Sequence, residues 1–160
     1  MTSVTADSNN CNDLAELIDE HADGYAGDIA PDQAYDYLAA HKDAVFVDLR
    51  TKPEWQFVGM ANLQDIGHEV HLISWLNYPD GLSNSQFTEQ LGQIASDTST
   101  PIFFICRSGR RSLAASKFAT SHGYQYAFNI DEGFEGKLDG SGQRGRRNGW
   151  KSAKLPWSQT

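Results

Sequence analysis

The residues best able to do chemistry in this sequence lie in one short stretch, Cys106-Arg107-Ser108-Gly109-Arg110-Arg111-Ser112. The apolar run Pro101-Ile102-Phe103-Phe104-Ile105 leads into it and a helix-like segment follows, so the stretch joins a buried strand to a helix. A loop of that kind turns successive backbone N–H groups inward and makes an anion-binding nest at a helix N-terminus. Gly109 permits the backbone conformation that a tight loop requires. At the centre of such a nest the N–H groups, the helix dipole and the guanidinium groups all favour a thiolate over a thiol. The same groups bind an incoming oxyanion and stabilise a persulfide anion on the sulfur. The competing reading is an inert buried cysteine that ends a core strand, a common arrangement. Arg107, Arg110 and Arg111, all within the next five positions, argue against it.

Other candidates carry less. Asp48, Arg50 and Glu54 can act as acid–base groups, but an ion pair that braces the edge of the site is the expectation for a strand end. His68 and His71 flank Glu69, yet they lack a third ligand and the His-Glu-x-x-His spacing, so no metal site is expected. Cys11 stands in a polar tail and reads as an incidental surface thiol. Arg144, Arg146, Arg147, Lys151 and Lys154 read as a solvated basic surface. Trp55, Trp75, Trp150 and Trp157 read as packing residues, with Trp75 in a loop that can line a pocket.

The elements that must position Cys106 follow from periodicity. Ala30-Pro31-Asp32 opens a helix, with Pro31 in its first turn and Ala34, Tyr37 and Leu38 on its apolar stripe. Val45-Phe46-Val47 is a buried strand ending at Asp48. Residues 53–58 suggest a helical turn or two, and residues 70–73 a strand. Ser85 is placed to cap a helix bearing Phe87, Leu91 and Ile94. A helix is predicted over 112–122, with Ala115, Phe118 and Ala119 on one side and Gly123 as its left-handed cap. Residues 126–130 are the last strand; 12–22 can form a short acidic helix with Leu14, Leu17 and Ile18 on one face, and 1–11 are expected to be loose. Strands alternating with helices predict a parallel α/β sheet covered on both faces, with ligands beyond the carboxyl ends of its strands. Cys106 stands at that edge.

Composition narrows the class. At 160 residues, 39% hydrophobic and 21% charged, the chain suits one globular domain rather than a disordered or fibrous protein. No apolar run approaches the roughly 18 residues of a membrane helix, and the amino terminus lacks a basic leader, so neither a membrane partner nor a signal peptide is expected. Two cysteines are too few for a disulfide framework, which makes a reducing, cytoplasmic setting the default. The net charge of −8 is uneven: residues 1–43 hold ten acidic side chains against Lys42, whereas the remainder holds eleven against twelve basic ones. The acidity therefore belongs to the amino-terminal segment, and no nucleic-acid partner is expected. The local arginine cluster calls instead for a small anionic ligand.

Several motifs in order, Val45-Phe46-Val47-Asp48-Leu49-Arg50, Glu54-Trp55-Gln56-Phe57-Val58-Gly59, the Cys106–Ser112 loop and Asn129-Ile130-Asp131-Glu132-Gly133-Phe134-Glu135-Gly136, resemble the rhodanese family of sulfurtransferases over about residues 28–157. The ending Gly149-Trp150-Lys151 with Leu155-Pro156-Trp157 looks like small bacterial single-domain members. One position departs: Ala61 stands where related sequences often carry proline. The resemblance implies one α/β domain over residues 24–157, built on a parallel sheet of about five strands with helices on both faces, preceded by an acidic segment, 1–23, and followed by a tail, 158–160. It also implies transfer of a sulfane sulfur from thiosulfate or a related small anion to cyanide, a thiol or a protein acceptor, through a persulfide on Cys106 and with no other cofactor. By that likeness Cys106 is the nucleophile, Arg107, Ser108, Gly109, Arg110, Arg111 and Ser112 form the substrate cradle, and Arg50 with Asp48 buttresses the fold; Glu54 is expected to add to that structural support. Two alternatives stay open, a cysteine phosphatase or arsenate reductase and a non-catalytic binding module. A phosphatase of related fold needs Cys-x-x-x-x-x-Arg, and here that last position is Ser112.

Overall fold

The computed structural model describes residues 14–159, so expectations for 1–11 and for Cys11 lie outside the described residues. Five parallel strands form the central sheet in the order β1-β6-β5-β2-β4. They are β1 (Gly27–Ile29), β2 (Val45–Asp48), β4 (Val70–Leu72), β5 (Ile102–Ile105) and β6 (Ala127–Ile130); β3 (Met60–Ala61) pairs separately and antiparallel with β7 (Trp157–Ser158). Among the described residues, the helices α1 (Pro31–Ala40), α2 (Phe87–Ile94) and α3 (Arg110–Ser121) cover the sheet.

Alternation along the strands explains the two faces. Phe103 and Ile105 of β5, with Phe128 and Ile130 of β6, point to the side where Ala34, Tyr37 and Leu38 of α1 pack with Trp150 and Phe134. Ile102, Phe104 and Cys106, with Ala127, point to the other side, against Phe87 and Leu91 of α2 and Ala115 and Ala119 of α3. Both faces are covered, which is why β5 reads as an unbroken apolar run rather than an alternating one, while β6 is interrupted by the buried Asn129. Cys106 comes immediately after β5, on the α2/α3 face, at the carboxyl edge of the sheet.

Three local expectations change. Helix α2 begins at Phe87 and is not capped by Ser85; Asn84 does that work, its Oδ1 accepting from Gln86 N and its carbonyl from Phe87 N. Helix α3 begins at Arg110, two residues early, because Gly109 turns the chain into it at φ 102°. The expected helix over 12–22 is shorter: among the described residues only 14–17 are helical there, and Leu14, Leu17 and Ile18 pack against the α1-side core. The edge strand β1 had no clear sequence signal, being three residues long and opened by a glycine.

Candidate active site

The loop after β5 is folded around the sulfur. Gly109 N–H donates to Cys106 Sγ at 3.2 Å and Ser112 N–H at 3.4 Å, while Ser112 Oγ lies 3.2 Å from it. Because α3 starts at Arg110, Ser112 sits in its first turn, where unpaired N–H groups and the positive end of the helix dipole face outward. Only glycine fits the turn: a Cβ on Gly109 would stand 2.0 Å from the Asp131 carbonyl oxygen. The loop's outer side is clamped by the segment after β6, where Phe134 N donates to Cys106 O and Glu135 N to Arg107 O, at 2.8 and 3.0 Å. Cys106 is 1% exposed. A sulfur anion so enclosed is tolerable only because hydrogen bonds replace lost water.

The expected supporting residues form two separate ion pairs. Arg50 is fully buried and grips Asp48 with Nε and Nη2, at 3.0 and 2.8 Å, while Nη2 also donates to Gly59 O. Its guanidinium lies 4.3 Å from the centre of the Phe134 ring, so the pair braces the turn beside the cysteine loop. Arg50 Nη1 and Trp55 Nε1 are buried with no hydrogen-bond partner among the described residues. Glu54 does not join this pair. It accepts a bidentate fork from Arg111, at 2.8 and 2.9 Å, and also caps Thr51 through the hydroxyl and N–H. Burial alone would raise the Glu54 carboxyl, but Arg111 and Thr51 together hold it below its ordinary value. Arg111 is raised, through its Glu54 hydrogen bond against the cost of burial, with further help from the charges of Glu54 and Asp48. Arg107 and Arg110 are exposed.

Residues 30–137 match the rhodanese-like domain family, which is more than half of the chain. The chain belongs to the rhodanese-like family. Its fold superposes on the crystal structure of Rv0390 from M. tuberculosis with a TM-score of 0.76 and 43% identity, covering 85% of this chain and 99% of that one. An uncharacterised protein of Rickettsia conorii is 38% identical over 130 residues, 81% of this chain and 94% of its own length. A thiosulfate:glutathione sulfurtransferase of Saccharomyces cerevisiae is 31% identical over 84 residues, 51% of this chain and 55% of its own.

Several features of this rhodanese-like domain escaped the sequence. Asn129, a partner of Ser112 Oγ at 2.5 Å, is 2% exposed and sits inside a motif with nothing to mark it as polar machinery. Lys151 is no solvated surface charge: its Nζ donates to Val58 O at 2.8 Å and lies 4.0 Å from the Trp157 ring. With Gln159 donating to Phe57 O and β7 pairing β3, the carboxyl end straps the segment that carries Glu54. Trp75 packs edge-on to Phe87 and Phe118. Trp55 instead lines an open cavity of about 540 Å³ beyond β2 and β4, with Lys52, Gln56, Asn77 and Tyr78. His68 Nε2 faces the Leu38 and His41 carbonyls. No cluster of three metal-binding side chains occurs among the described residues, and none of their helices is long and apolar enough to cross a membrane.

Proposed function

We propose that this protein moves a sulfane sulfur from a small anionic donor to a nucleophilic acceptor through a persulfide on Cys106. The observation that carries the reading is the convergence of two backbone N–H groups on a sulfur at a helix N-terminus, with the Ser112 Oγ beside it. Such a cradle holds a thiolate ready to attack. With thiosulfate, the thiolate attacks the outer sulfur; a new S–S bond forms, the donor S–S bond breaks, and sulfite leaves with its electron pair. An acceptor then attacks the outer sulfur of the persulfide and the Cys106 thiolate returns. Cyanide gives thiocyanate, and a thiol gives its own persulfide; the likeness to a thiosulfate:glutathione sulfurtransferase supports a thiol acceptor. Exposed Arg107 and Arg110 suit recruitment of a dianion at the rim.

Phosphate chemistry fits the site less well. The sixth position after the cysteine is Ser112, whose Oγ lies beside the sulfur, and Arg111 is turned to Glu54. The test compares thiocyanate formation from thiosulfate and cyanide with hydrolysis of an aryl phosphate and reduction of arsenate. Thiocyanate formation with negligible phosphate or arsenate turnover is expected. Faster phosphate hydrolysis than thiocyanate formation would replace this reading with a phosphatase.

A further inference from the structure

The contacts around the sulfur continue as a line of hydrogen bonds that crosses the sheet to its edge. Ser112 Oγ lies 3.2 Å from Cys106 Sγ and 2.5 Å from Asn129 Oδ1. Asn129 Nδ2 donates to Asp28 Oδ1 at 2.9 Å, and the Tyr25 hydroxyl donates to the same oxygen at 2.8 Å. The parallel register makes this possible, because Asp28 of β1 and Asn129 of β6 stand directly opposite each other. Ser112 and Asn129 are buried, whereas Asp28 is exposed at the sheet edge.

Counting protons gives the line a direction. An ionised carboxylate only accepts, so Asp28 fixes the amide nitrogen of Asn129 toward itself and leaves the amide oxygen toward Ser112. A serine hydroxyl has one proton, and at 2.5 Å it goes to that oxygen. Sγ then meets a lone pair of Ser112 Oγ. A thiol suits this arrangement, because S–H donates to Oγ. A sulfur anion does not, unless the hydroxyl swings to it and leaves a buried amide oxygen without a donor. The side-chain amide cannot pass a proton along, so the line conveys orientation rather than charge.

We propose that Asn129, anchored by Asp28, is a positioning residue that sets the direction of the Ser112 hydroxyl and thereby opposes the stabilisation of the Cys106 anion by the Gly109 and Ser112 N–H groups. The counterweight has a use. A thiolate stabilised too far is a poor nucleophile, and the best attacking thiol titrates near ambient pH. The inference rests on Cys106 being the reacting group, though not on what it transfers. The charged groups nearby are Arg107, Arg110, Arg111 with Glu54 and Asp48, and Asp131 and Glu132 beside Asp28.

The test is the pH profile of Cys106 alkylation by iodoacetamide, read on the Cys106 peptide by mass spectrometry, with far-UV circular dichroism to check folding. It needs no sulfur donor, so its failure is distinct from failure of the transfer reaction. Asn129→Leu should free the Ser112 hydroxyl for the sulfur, moving the profile to lower pH and speeding alkylation on its acid limb about threefold or more, the worth of one modest hydrogen bond. Asp28→Asn, at the exposed edge, lets the Asn129 amide turn and should act in the same direction, which keeps the test decisive if Asn129→Leu does not fold. In a Ser112→Ala background Asn129→Leu should have no effect, and whatever Asp28→Asn retains there is its direct charge effect. Unchanged profiles in the folded variants, or equal shifts with and without the Ser112 hydroxyl, would overturn the proposal.

Discussion

Two arginine–carboxylate pairs stand at the same sheet edge in very different surroundings. Arg50–Asp48 is sealed from solvent, and its partners are two residues apart at one strand end. Arg111–Glu54 is about a fifth exposed on each side, and its partners are 57 residues apart. The first fixes where the chain turns after β2, under the Phe134 ring and against the Gly59 carbonyl. The second ties the first turn of α3, and with it the cysteine loop, to the helical turn Glu54–Val58. Like chemistry thus serves the fold in one place and the site in the other, and burial decides which.

The largest expected effect is on the sealed pair. Asp48→Ala leaves the Arg50 charge buried and unpaired, and should cost about 3–5 kcal/mol in urea unfolding. A loss below about 1 kcal/mol would mean that water reaches the pair and that the contrast is false. Arg111→Ala and Glu54→Gln should reverse the pattern. Each should cost about 1 kcal/mol or less in stability, while kcat/KM for thiosulfate falls about tenfold or more through misplacement of the loop. Unfolding of either variant would break the distinction. Arg110→Ala sharpens it, because this arginine is exposed and outside both pairs. There the expectation is a rise in KM of about threefold at unchanged kcat, the mark of uniform binding, fading with added salt.

The smallest effect is one of pH. The Glu54 carboxyl is held below its ordinary 4.5 in the folded protein, so its pair stabilises fully above that value. That contribution is lost as pH falls through the lower, folded-state value. Urea midpoints measured downward from pH 5 should therefore fall more steeply in the native protein than in Glu54→Gln. Parallel profiles would show that Glu54 is not held by Arg111 in solution.

Much of this was legible because local patterns sufficed. Val45–Asp48 and Ile102–Ile105 are apolar runs of strand length, and three arginines beside a strand-ending cysteine announced the loop. The contacts that join distant residues were not legible. Glu54 could be grouped with Arg50 from sequence proximity, yet it pairs with Arg111, since helix α3 starts early enough to turn that side chain across the edge. Asn129 was hidden because a polar residue in a buried strand shows its purpose only when Ser112 and Asp28 are seen on either side. Lys151 looked like one more basic surface residue until the carboxyl strap folded it over Trp157.

The central claim is that Cys106 carries the sulfur. Mass spectrometry of the protein after thiosulfate treatment, followed by peptide mapping, should find one added sulfur atom on the Cys106 peptide, removed by cyanide or a small thiol. Cys106→Ser should acquire none there and form no thiocyanate, with its fold intact. Thiocyanate production at the native rate by that variant, or an added sulfur located elsewhere while Cys106 stays unmodified, would contradict the account.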